Sequence, residues 1–227
     1  MQLNASQREL TLKIVYYGPG LSGKTTNLQA IHARLDPSIR GRLMTLDTAD
    51  DRTLFFDMMP VFFRTRAGLK VKLKLFTVPG QVMHNSTRRL VLQGADAVAF
   101  IADSQRSMSR ANNEYWQNML TNLKQNGIRY GEIPIVVQFN KRDLPDIRSD
   151  EEIDEIARRG EEPIYKAVAI RGEGVLETLY GLLKLTWKSL EAKHDFGRKF
   201  GLTESEFLGS IFKNLDTRNT ALESVLS

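Results

Sequence analysis

Near the N-terminus the run Gly18-Pro19-Gly20-Leu21-Ser22-Gly23-Lys24-Thr25 has the spacing G-x-x-x-x-G-K-[ST], and far downstream Asn140-Lys141-Arg142-Asp143 has the spacing N-K-x-D. The first is the chemistry of a phosphate cradle. Glycines let the main chain bend until successive N–H groups converge on anionic oxygens, and the start of a helix adds its partial positive charge. The candidate cradle comprises Gly18, Gly20, Leu21, Ser22, Gly23, Lys24, Thr25 and Thr26. In this motif the lysine, Lys24, reaches the β- and γ-phosphates, and the Thr25 hydroxyl binds Mg²⁺. The cradle alone leaves the nucleotide open, because ATPases and small-molecule kinases share it. The second run is a base reader. A carboxylate accepts two hydrogen bonds, and guanine presents N1–H and its 2-amino group side by side. Adenine offers neither there, so Asp143 disfavours it by leaving a desolvated charge unpaired. The Asn140 amide can tie this loop to the phosphate loop, and the Lys141 stem can cover a face of the base.

Both motifs need a scaffold that holds loops at strand ends. Leu10 to Tyr17 reads as a strand entering the cradle and Thr26 to Arg34 as a helix leaving it, with Leu28 and Ile31 on one face. Ile133 to Phe139 is an apolar run, which places Asn140 at a strand's C-terminal end, where open α/β sheets bind ligands. Short strands are expected at Leu43 to Leu46 and Val61 to Arg66, flanking Thr48 to Pro60. Lys70 to Phe76 alternates lysine with apolar residues, as a strand with one solvated face does, and Ala95 to Ala102 suits a central parallel strand. Asn112 to Gln125 forms a helix whose stripe of Tyr115, Trp116, Met119, Leu120 and Leu123 reads as core. Ser149 with Glu152 makes a capping box for a helix to Arg159, Pro163 to Ile170 reads as a strand, and Val175 to Leu190 as a long helix. This alternation predicts an α/β fold with a mostly parallel sheet covered on both faces.

On these residues the chain resembles the Ras-like P-loop small GTPases, and among them the bacterial MglA family of gliding-motility and polarity GTPases. The resemblance spans roughly residues 8 to 190. It is carried by KIVYYGPGLSGKTTNL, DRTLFFDMMP, TVPGQ, VAFIADSQ, NKRDLP and AVAIRGEGV. It implies a GTP/GDP-binding, GTP-hydrolysing molecular switch that uses Mg²⁺. Val168, Ala169 and Ile170 align with the loop that lies beside guanine O6, and only Ala169 matches its side chain. Thr53 aligns with the threonine that closes on Mg²⁺ and the γ-phosphate, with Thr48 a competing candidate. Arg52 takes the arginine-finger role, where a planar cation meets charge on the transferring phosphoryl group, against the plainer reading of a surface arginine. Gly80 can give its N–H to the γ-phosphate, and Gln81 orients the attacking water. Thr77 stands where most Ras-like proteins carry an aspartate that holds Mg²⁺ through water, a weaker and neutral substitute. The resemblance also implies slow unassisted turnover and a Roadblock-type, MglB-like activating homodimer as partner, beside an unidentified exchange factor and polarity or motility effectors. A nucleotide-gated scaffold with little hydrolysis is the first alternative, and a ribosome-associated GTPase the second.

Global properties limit the rest. The 227 residues accommodate one core plus an appendage, residues 1–192 for the GTPase domain and 193–227 for a linker and helical extension. No cysteine is present, which excludes disulfides and thiol chemistry. The net charge of +5 comes from Lys and Arg spread along the chain without a recognition-helix or aromatic-basic pattern, so no nucleic-acid partner is expected. Gln2 in place of a myristoylated glycine, and Ser224-Val225-Leu226-Ser227 in place of a prenylation box, predict no direct membrane anchor. A cytoplasmic protein is expected, with any polar recruitment left to partners. At the C-terminus Lys193 to Gly201 reads as a linker, followed by a second capping box, Thr203 with Glu206. Phe207, Leu208, Ile211, Phe212 and Leu215 then follow at helical spacing, and Ala221, Leu222, Val225 and Leu226 extend the pattern. That apolar face calls for burial on its own domain, on another protein or at a membrane surface.

Overall fold

A computed structural model describes residues 1–46, 56–80 and 84–212. Its strands are β1 (Gln2–Asn4), β2 (Glu9–Tyr17), β3 (Met44–Leu46), β4 (Phe56–Arg64), β5 (Lys70–Thr77), β6 (Ala97–Asp103), β7 (Ile135–Asn140) and β8 (Ile164–Lys166). Its helices are α1 (Lys24–Arg34), α2 (Asn85–Leu92), α3 (Ser109–Gln125), α4 (Asp150–Arg159), α5 (Val175–His194), α6 (Phe196–Phe200) and α7 (Glu204–Phe212). The strands form one sheet in the order β3-β4-β5-β2-β6-β7-β8, with β1 antiparallel against the start of β2. β5, β2, β6, β7 and β8 run parallel, while β4 is antiparallel to both β3 and β5. The expected mostly parallel α/β fold is what the chain adopts.

Side-chain alternation divides the interior into two cores. Every residue of β6 is buried, as a strand covered on both faces must be. Ala97, Ala99 and Ile101 join Leu10, Leu12, Ile14 and Tyr16 of β2 in a core shared with α1 and α5. Val98, Phe100 and Ala102 join Val15 and Tyr17 in a second core with Tyr115, Met119 and Leu123 of α3. The period of two thus carries each strand's neighbours to opposite faces. The capping box of α4 forms as expected: Glu152 N–H donates to Ser149 Oγ at 3.3 Å, and Ser149 N–H donates to the Glu152 carboxylate at 2.7 Å.

Four expectations are corrected. α1 starts at Lys24, inside the cradle motif, so the lysine and Thr25 stand on its first turn. β4 is longer than expected and takes in Phe56 to Pro60, which read as connecting chain. Pro60 is tolerated inside the strand because β3 pairs only as far as Met58, so no ladder partner asks for the missing N–H. β8 is shorter than Pro163 to Ile170, because Val168 folds back to bridge Glu173 through a turn with Gly172 at φ 73°. The stretch from Lys193 to Gly201 is not an open linker. α5 continues to His194, Asp195 breaks it in the left-handed region, and Phe196 drops into the core against Trp187.

Beyond it, Thr203 and Glu206 make the second capping box, with reciprocal bonds of 3.0 and 3.2 Å. α7 buries Phe207, Leu208, Ile211 and Phe212 against the domain itself. Phe207 meets Phe63 of β4 edge-on and Trp187 of α5, and Phe212 meets Tyr180. Leu215 and the following apolar positions lie outside the described residues. Among the described residues no helix is long and apolar enough to cross a membrane.

Candidate nucleotide site

Two adjoining cavities lie at the C-terminal ends of β2, β5 and β7, and share Leu21, Gly23 and Thr26. One, of about 240 Å³, is lined by Asn140, Lys141, Asp143, Leu144, Ala169 and Ile170. The other, of about 800 Å³, is lined by Gly20, Lys24, Thr25, Asp57, Thr77 and Gly80 among others. Motifs from opposite ends of the sequence therefore meet at one site. A third cavity, of about 660 Å³ between β4 and α7, contains none of the motif residues.

The smaller cavity is framed by one buried side-chain amide and the main-chain groups around it. Asn140 Nδ2 donates to the Ser22 carbonyl at 2.8 Å, and its Oδ1 accepts the Ala169 N–H at 2.9 Å. One buried amide thus ties the candidate cradle to the third loop. Arg142 N–H donates to the Ala167 carbonyl at 3.1 Å, which holds the loops side by side. Gly23 sits at φ 98°, and a Cβ there would stand 2.1 Å from Asn140 Nδ2, so only glycine permits the close approach. Asp143 is exposed at the cavity mouth, free to accept from a ligand edge. Ala169 and Ile170 line the cavity, whereas Val168 is buried behind it, its N–H given to Glu173. Lys141 is held by Asp103 at the end of β6, Nζ to Oδ2 at 2.7 Å.

The larger cavity is framed by side chains. Lys24, only 7% exposed, gives its ammonium protons to the Gly18 and Pro19 carbonyls at 3.0 and 2.6 Å. Burial, and then the positive charge of Arg88, push its pKa down to about 7. A buried cation facing main-chain carbonyls is matched to an incoming anion, and the Ser22 hydroxyl, fully buried, has no partner among the described residues. Both features fit a phosphate group.

Asp57 is the centre of the remaining wall. Its carboxylate accepts from the hydroxyls of Thr25, of Thr45 at 2.9 Å and of Thr77 at 3.0 Å, and its N–H donates to Thr77 Oγ1. Thr77, the neutral residue at this point, is thus bonded to a carboxylate from the neighbouring strand. Hydroxyl and carboxylate oxygens are the ligands a small hard cation takes, so the donor set fits Mg²⁺ held jointly with phosphate oxygens and water. Gly80 packs on the cradle, where a Cβ would lie 2.4 Å from Gly20 Cα and 3.1 Å from Lys24 Nζ. Its carbonyl accepts the Tyr115 hydroxyl at 2.6 Å. Arg52, Thr53, Thr48 and Gln81 lie outside the described residues.

Asp57, Asp103 and Tyr115 escaped the sequence reading. Asp57 had a signal: it occupies a buried position in the alternation of β4, where a lone carboxylate among Phe, Met and Val needs a reason. Tyr115 was absorbed into an apolar stripe, which its ring joins while its hydroxyl does not. Asp103 ends an apolar strand and carries no distinguishing pattern.

Compared with known proteins, the chain matches no family model. It is 45% identical over 189 residues to the Mutual gliding-motility protein MglA of Myxococcus xanthus (strain DK1622), an alignment covering 83% of this chain and 97% of that protein.

Proposed function

This chain belongs to the MglA family, and from that premise we propose that it is a GTP-binding, GTP-hydrolysing switch of bacterial cell polarity and motility, its output being nucleotide-dependent partner binding. One observation supports this most: the Asn140 amide joins Ser22 of the cradle to Ala169, at a cavity where Asp143 presents its carboxylate. A phosphate loop and a base loop braced by a single side chain suit one ligand that carries both groups.

In this reading Asp143 accepts guanine N1–H and the 2-amino group, and Ala169 and Ile170 offer main chain beside the base. Lys24 exchanges its two carbonyl partners for phosphate oxygens and regains full charge. Thr25, with Thr53, would hold Mg²⁺, which when bound neutralises phosphate charge. Gln81 orients the attacking water and Arg52 stabilises charge on the phosphoryl oxygens. Unassisted Ras turnover is about 3–5 × 10⁻⁴ s⁻¹ and a placed arginine is worth roughly 10³–10⁵, so a Roadblock-type homodimer that positions Arg52 and Gln81 would set the timer. Residues 1–192 constitute the GTPase domain and 193–227 its extension, in a cytoplasmic protein brought to a pole by partners.

A second reading, a nucleotide-gated scaffold with little hydrolysis, draws on Asp57, whose carboxylate engages the Thr25 hydroxyl. Single-turnover phosphate release separates the two. The wild type should hydrolyse GTP faster with its partner than without, and Arg52→Ala and Gln81→Leu should each lose that stimulation. Equal rates in all three proteins would sink the catalytic reading and leave the scaffold.

A further inference from the structure

Gly80 is clamped from two sides. On one, its main chain lies against Gly20, so closely that even a methyl group would overlap the cradle. On the other, its carbonyl takes the proton of the Tyr115 hydroxyl at 2.6 Å. Tyr115 is itself immobilised. It is 8% exposed, and the Arg88 guanidinium of α2 lies 5.1 Å from its ring centroid. Arg88, 3% exposed, is aimed by Asn118 Oδ1 at 3.0 Å and by Asn85 Oδ1 at 3.4 Å. Asn118 Nδ2 and Asn122 Nδ2 also converge on Asn85 Oδ1, at 2.8 and 3.0 Å, so α2 and α3 form one braced unit beneath the tyrosine.

The consequence falls on the terminal phosphate. Lys24 Nζ lies 3.1 Å from the position of a Gly80 Cβ, with its protons turned to the Gly18 and Pro19 carbonyls. With Gly80 in contact with Gly20, nothing of phosphoryl size fits between the two main chains. A diphosphate leaves that contact intact, whereas a triphosphate must part it.

The geometry points to Tyr115 as a positioning residue that sets the preference for di- over triphosphate, by holding Gly80 against the cradle through its hydroxyl. This rests on the reading of Gly80 as the sensor of the terminal phosphoryl group. The hydroxyl contributes only to the closed arrangement, so its removal favours the triphosphate. One hydrogen bond of this kind corresponds to about a three- to tenfold change in an equilibrium.

The test measures dissociation constants of a fluorescent GDP and a non-hydrolysable GTP analogue on the full chain. Tyr115→Phe keeps the ring for Arg88 and should move the ratio of the two constants towards the triphosphate by about three- to tenfold. Replacing Tyr115 with 3,5-difluorotyrosine, a stronger donor of nearly equal volume, should move it the other way at a mildly acidic pH where the more acidic phenol keeps its proton. Tyr17→Phe is the control. Its hydroxyl bonds Asn118 and accepts from Asn122 in the same braced unit without touching Gly80, so the ratio should stay put. An unchanged ratio in both Tyr115 variants, or an equal shift in Tyr17→Phe, overturns the assignment while guanine binding by the wild type leaves the switch reading standing. A wild type that binds neither guanine nucleotide overturns both.

Discussion

The two ends of the candidate site are built from different materials. At the proposed base end the loops are fastened by one buried side-chain amide, Asn140, bonded to the Ser22 carbonyl and the Ala169 N–H, and by the main-chain pair from Arg142 to Ala167. At the phosphate end the same job is done by side-chain hydroxyls, one carboxylate, one ammonium and one phenol. In the proposed reading those loop fastenings persist whatever occupies the site, whereas lysine and hydroxyl contacts can be exchanged for phosphate oxygens at little net cost. In that same reading, the identity of the base would be read by a prebuilt frame, and the number of phosphates by contacts that can change hands.

The sharpest way to break this contrast is to strip the reader from the frame. Asp143→Ala should weaken GDP binding roughly 10³-fold, since two hydrogen bonds to a charged acceptor are lost, and erase discrimination against ADP. Competition binding with the two diphosphates checks it, and retained guanine preference would show the frame itself to be the reader. Gly23→Ala should come next. A methyl group driven against Asn140 Nδ2 at φ 98° should cost about 2–3 kcal/mol in urea unfolding, the strain of a left-handed alanine adding to a displaced amide. Asp57→Asn tests the exchangeable end. It should lower the stability of the nucleotide-free protein by about 1–2 kcal/mol, because Thr45 bonds one carboxylate oxygen and Thr25 and Thr77 the other, and an amide keeps only one acceptor oxygen. Its preference for GDP over ADP should match the wild type, and a change there would blur the division.

The gentlest probe is pH. Lys24 is held near 7 in the fold against 10.5 for a free lysine, so between those values the unfolded chain binds more protons than the native one. Stability of the nucleotide-free protein should therefore climb as pH rises from about 7 to 10. A phosphate beside Lys24 restores its proton, so GDP binding at pH 8 should take up protons and weaken as pH rises. Titration calorimetry in two buffers of unlike ionisation heat reads the uptake directly. Lys24→Met should abolish it, and a proton count of zero in the wild type would remove Lys24 from the phosphate end.

What the sequence made legible follows the same division. Cradle and base motifs announce themselves because glycine, lysine, asparagine and aspartate are each needed for a particular bond, and the spacing is local. The parallel sheet was legible in runs such as Ala97–Asp103, where burial on both faces erases alternation. α2 was not, because its buried face mixes Thr87 and Arg88 with Val91 and Leu92 and presents no apolar stripe. Asp57 and Tyr115 depend on register between strands and on which atom of a ring meets a distant carbonyl. Neither is encoded in local spacing. The first half of β4, Phe56 to Pro60, read as connecting chain, and Pro60 is tolerated there because β3 pairs only as far as Met58.

The amide of Asn140 also sets a clock on synthesis. The glycine-rich loop emerges from the ribosome early, yet its brace arrives with residue 140 and its third anchor only with Ala169. At about 5–20 residues per second, roughly 10–30 s pass before ligand can lend any stability to the growing polypeptide. Until then the nascent N-terminal half stands or falls on its own apolar packing.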